Sequence, residues 1–118
     1  MRPIERITPT MIDTRDQFLR LVCDELKISP LDVMSKRRDS RTSMARHLIM
    51  WGLHQYTEAT TTQIGHLMGR DHATVCYGIG AVETNVTMPY HKEARQILTL
   101  IKQKGEDLKC ERNEKRVG

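Results

Sequence analysis

The residues best equipped for chemistry are Arg70, Asp71, His72, Ala73 and Thr74, set between Gly69 and Val75. Their chemistry is recognition rather than bond-making. Arginine pairs with a guanine edge, aspartate accepts from cytosine N4, and alanine or threonine touches the thymine methyl. Side chains of these types on the exposed first turn of a helix can reach base edges in a major groove. Asp71 has a second reading, because aspartate before a helix is also a good N-cap. Upstream, Lys36, Arg37, Arg38 and Arg41 crowd four cations into six residues. Such a cluster fits a polyanion, although a solvated loop has the same composition.

These residues need a scaffold that exposes one helix start. A helix-turn-helix requires a small residue on its first helix, a left-handed turn and a β-branched residue on its second. Gly65, Gly69 and Val75 stand at those spacings, and Ile64 and Met68 fall on the inward side. An αα-hairpin without a binding role satisfies the same spacing.

Around this motif the pattern is helical. Phe18, Val22 and Leu26 recur every fourth residue over 11–26, with Leu19 and Leu21 widening the stripe. Ser29-Pro30-Leu31-Asp32 reads as a capping box that starts a short helix. Residues 35–41 read as a basic loop and 43–56 as a long helix with Leu48, Trp51, Met44 and Gln55 inward. Residues 57–62 form a threonine-rich turn, 64–68 a short helix, and a helix follows from Asp71 to about residue 85. Met88-Pro89 starts a last helix to about residue 104, with Ala94, Ile97, Leu98 and Ile101 at core spacing. The expected fold is a compact all-α bundle of about six helices. Residues 1–10 are expected to form an arm, 11–104 the domain, and 105–118 a charged, disordered tail.

Apolar residues make up 38% of the 118 and the net charge is +4. That suffices for one modest core and suits a polyanionic partner. Cys23, Cys76 and Cys110 are odd in number and lack a short spacing, which argues against a disulfide framework or thiolate zinc site. No apolar run approaches a membrane span and the N-terminal stretch is no secretory signal, so the expected location is cytoplasmic.

In this setting the sequence resembles the C-terminal DNA-binding domain (domain IV) of the bacterial replication initiator DnaA. The matching residues are Ile64-Gly65, Gly69 to Val75, the basic run Ser35-Lys36-Arg37-Arg38, and Arg46 in the long helix. The resemblance covers roughly residues 11–101. It implies an all-helical domain that binds a short, asymmetric, AT-rich box as a single unit, with double-stranded DNA as partner. By position it implies Arg38 as minor-groove reader, Asp71, His72 and Ala73 as major-groove readers, and Thr62 near the groove wall. Candidate phosphate contacts are Lys36, Arg37, Arg41, Arg46, His54, Arg70 and Thr74. Three departures stand out. One glycine, not two, precedes Arg70; Ala73 replaces a threonine; His54 and Thr62 stand where the family often has a basic residue and proline.

No G-x-x-x-x-G-K-[ST] loop occurs in the chain, so the initiator's ATPase is absent from it. A free-standing chromosomal or phage-encoded relative, acting at the nucleoid in replication or transcription control, is the expectation; an expressed fragment is the alternative. Replication or transcription proteins stand as further candidate partners. His66, His72 and Cys76 lack a fourth metal ligand, and Cys76 is expected to pack as a buried apolar group. His47, His54, Cys23 and Asp24 make no ordered catalytic set. No cofactor, metal or enzymatic activity is therefore expected. The rival function is a protein-interaction module acting as an antagonist or accessory of the initiator, but four clustered cations favour DNA.

Overall fold

The computed structural model describes residues 6–84 and 91–117. They form six helices: α1 (Pro9–Leu26), α2 (Pro30–Met34), α3 (Ser40–Tyr56), α4 (Thr61–Met68), α5 (His72–Glu83) and α6 (His91–Val117). Among the described residues there is no strand. None of the helices is long and apolar enough to cross a membrane.

Each start has a local cause. The Thr8 hydroxyl accepts from the Met11 amide, with Pro9 in the first helical position, so α1 begins inside the expected arm. The Ser29 hydroxyl accepts from Leu31, one position short of a capping box, while Asp32 faces Arg37 at 3.4 Å. Asp39 accepts from the Thr42 amide at 3.1 Å and hydroxyl at 2.9 Å, which starts α3 at Ser40, three residues earlier than expected. A full capping box opens α4. The Gln63 amide donates to the Thr60 hydroxyl, and the Gln63 side-chain oxygen accepts from the Thr60 amide.

Helix α3 is the central post, packed by α1, α2, α4, α5 and α6. Phe18, Val22 and Leu26 of α1 meet Leu48, Ile49, Met50 and Leu53 of α3, together with Ile97 and Ile101 of α6. Trp51 is only half-buried and Gln55 is exposed, so the inner face of α3 is rotated from the expected one. The start expected at Met88-Pro89 lies outside the described residues. The expected end at 104 is corrected: α6 continues to Val117. Gly105 and Leu108 are buried, and a Cβ on Gly105 would lie 2.4 Å from the Tyr56 ring. Burial, together with the Glu106 carboxylate, pushes the Tyr56 phenol above its ordinary pKa.

Candidate nucleic-acid interface

Helix α4 ends at Gly69, whose φ of 66° is the left-handed conformation that glycine adopts without a Cβ penalty. The chain then turns back so closely that the Arg70 amide donates to the Gly65 carbonyl at 2.8 Å. A Cβ on Gly65 would lie 2.5 Å from the Arg70 carbonyl oxygen. Val75 is fully buried where α5 crosses α4. The three spacing residues therefore do what a helix-turn-helix requires of them. Arg15 of α1 braces the end of α4 by donating to the Leu67 carbonyl at 2.9 Å.

This turn presents the first turn of α5. Asp71, His72 and Ala73 are exposed and Thr74 is half-buried. Asp71 is the N-cap, accepting from the Thr74 amide at 2.8 Å. Hydrogen bonds from Thr74 hold its carboxyl below the usual carboxylate range, so it is an anion and an acceptor at neutral pH. Capping therefore occupies one carboxylate oxygen of a side chain that still faces solvent.

The basic loop, residues 35–39, lies against this turn, because Arg70 Nη2 donates to the Ser35 carbonyl. The cations that surround it differ in their commitments. Lys36 and Arg38 are exposed and have no hydrogen-bond or ion-pair partner among the described residues. Arg37 is exposed but leans on Asp39 at 2.9 Å and Asp32 at 3.4 Å. Arg41 is half-buried and faces Glu93 of α6 at 3.4 Å.

Arg46 departs most from expectation. Only 7% exposed, it donates from Nε to the Val33 carbonyl at 2.7 Å and from Nη2 to the Arg37 carbonyl. Burial and the Arg70 guanidinium lower its pKa, against a pull from Asp39. The signal available in the sequence was its helical spacing with Thr42, Ile49 and Leu53, a face offset from the expected one through Leu48, Trp51 and Gln55.

Thr62 is exposed in the first turn of α4, and His54 is exposed near the end of α3. No hydrogen bond or ion pair among the described residues ties either to the basic loop. Cys76 is a correction too. It is exposed one turn after His72, with Sγ 3.7 Å from His72 Nε2. His66 does not join them, and no group of three metal-ligating residues occurs among the described residues. Tyr77, not singled out by the sequence, is 71% exposed and meets His47 edge-to-face with centroids 5.7 Å apart. The buried phase of Val75 and Ile79 was the available signal that residue 77 faces out.

A sequence model of the family described as bacterial dnaA protein helix-turn-helix matches residues 16–82, more than half of the chain. The chain belongs to this family. The chromosomal replication initiator protein DnaA of Gloeobacter violaceus is 39% identical over 88 residues, covering 68% of this chain and 20% of that protein. DnaA of Treponema pallidum strain Nichols is 33% identical over 95 residues, with 80% and 20% covered. This DnaA-family chain thus spans about a fifth of the length of these curated relatives. A crystal structure of a DNA replication initiation factor superposes with a TM-score of 0.65 at 24% identity, covering 80% of this chain and 30% of that one. At that identity the likeness is one of fold. Family and fold agree on the helix-turn-helix, which α4, the Gly69 turn and α5 form.

Proposed function

We propose that this chain binds duplex DNA sequence-specifically, at sites like the box read by DnaA initiators, and performs no chemistry on it. The observation that carries the reading is a juxtaposition. The exposed first turn of α5 and the basic loop are joined through the Arg70–Ser35 hydrogen bond, so two elements that suit DNA stand side by side. Helix α5 enters the major groove with Asp71, His72 and Ala73 toward base edges. Arg38, exposed and uncommitted, enters the adjacent minor groove, where an AT-rich sequence concentrates negative potential. Lys36, Arg37, Arg41 and Thr74 supply phosphate contacts, with Thr62 and His54 at the margins. Arg37 and Arg41 exchange exposed or half-exposed ion pairs for phosphates, a small loss because such pairs contribute little.

The relatives are chromosomal replication initiators. By extension, this chain occupies shared boxes at the nucleoid as a monomer and acts in replication or in transcription control, in competition or concert with the initiator. The test is equilibrium binding to a duplex carrying a DnaA-box-like site and to a scrambled duplex of the same composition, across a salt series. Expected are a clear preference for the site and a log–log salt slope of about −0.9 per phosphate engaged. Equal affinities for the two duplexes would refute sequence-specific reading, and an affinity independent of salt would refute the phosphate contacts.

A further inference from the structure

Arg46 and Arg70 carry the charge expected of phosphate contacts, yet their donors turn toward the protein's own backbone. Arg46 reaches the Val33 and Arg37 carbonyls from α3. Arg70 reaches the Ser35 carbonyl from the helix-turn-helix, and its Nη1 lies 3.1 Å from the Gly69 carbonyl. Three alternate carbonyls, of Val33, Ser35 and Arg37, are thus held by two guanidinium groups arriving from different elements. Arg38 follows immediately and Asp71 follows Arg70. Neither Arg46 nor Arg70 has a carboxylate ion-pair partner among the described residues.

We infer that Arg46 and Arg70 are positioning residues that fix the basic loop at a set offset from the first turn of α5, so that Arg38 and Asp71–Ala73 act as one reading unit. The planar guanidinium suits the task. It presents five donors in a rigid fork, is weakly hydrated, and can bridge carbonyls that a lysine ammonium, a point charge on a flexible stem, cannot hold at once. The inference rests on the proposed DNA reading only for its consequence; the stitch itself is a property of the free protein.

The test uses Arg70→Gln and Arg46→Lys in the full chain. Arg70 is only half-buried, so its variant keeps the test open if Arg46→Lys fails to fold. In the free protein, amide exchange at Arg37 should speed up by at least about tenfold, from the loss of a charge-assisted hydrogen bond. The Arg37 amide is a suitable reporter because it donates to the Ser35 hydroxyl at 3.2 Å. Exchange in α1 should not change. On DNA, Arg70→Gln should keep the wild-type salt slope while preference for the selected site over a scrambled duplex falls about tenfold, with Arg38→Ala adding little in that background. Unchanged loop exchange would overturn the inference, as would equal losses on both duplexes with the slope reduced by about 0.9, the mark of a lost phosphate contact. If Arg38→Ala alone leaves preference intact, the minor-groove reading fails, and the exchange result still decides the stitch.

Discussion

Replacing Gly65 with alanine puts a Cβ 2.5 Å from the Arg70 carbonyl oxygen, a backbone atom at the tightest point of the turn. To reach an acceptable contact, that carbonyl must retreat by about half an ångström, and overpacking of this kind costs roughly 1–3 kcal/mol. The backbone obstacle puts Gly65→Ala at the upper end. Alanine's better helix propensity returns about 1 kcal/mol, leaving a net loss of about 2 kcal/mol. For a domain of this size the melting temperature should fall by roughly 8–12 °C. Gly80→Ala is the internal reference, because nothing lies within 4 Å of a Cβ there. That variant gains the propensity term alone and should melt roughly 4 °C higher than wild type. Calorimetry or thermal circular dichroism on the three proteins decides the matter. If Gly65→Ala melts as high as Gly80→Ala, the close crossing of α4 and α5 is not what holds the turn.

Arg38→Ala should lose affinity mainly for AT-rich sites and Arg37→Ala more evenly across sequences, read by titrating both against selected and scrambled duplexes; equal losses everywhere would place Arg38 among the phosphate contacts. Asp71→Asn keeps a good cap, so its melting temperature should stay near wild type while preference changes at one base pair by roughly 1–3 kcal/mol, seen in a selected motif. Gly105→Ala should destabilise the fold by up to roughly 2 kcal/mol in a denaturant titration, because its Cβ meets the buried Tyr56 ring and alanine's helix propensity offsets only about 1 kcal/mol of that cost. Asp39 and Asp71 have lowered folded pKa values, so their stabilisation is present above about pH 4 and lost as pH falls through the folded values. A pH series of melting temperatures should therefore drop on the acid side, less steeply for Asp39→Asn. Burial, and Arg46 beside it, also lower His47, so stability should begin to decline as pH falls below about 6.5, a decline that His47→Gln removes.

Features set by short-range chemistry were legible in the sequence. Gly69 announces a left-handed turn, Asp71 a cap, and Gly65 and Val75 a crossing, because each acts within a few residues of its own position. The start of α3 was hidden because Asp39 sits inside a basic run, where charge suggested a continuous loop. Arg46 shows the limit of reading a cation as a surface group. Its helical phase with Thr42, Ile49 and Leu53 placed it inside, but backbone carbonyls 9 and 13 residues upstream hold it there. The same limit applies to the charged C-terminal stretch. Its composition suggested disorder, whereas Ala94, Ile97, Ile101, Gly105 and Leu108 carry one buried stripe along α6. Glycine at 105 breaks the apolar pattern in sequence while allowing the helix to lie on Tyr56.

The most direct measurement of the central claim is selection of bound sequences from a random duplex pool by the intact protein. A helix start reading base edges beside a loop arginine reading a narrow minor groove predicts enrichment of one short, asymmetric motif with an AT-rich flank. Recovery of sequences with no shared motif, at an affinity no greater than for the starting pool, would contradict it.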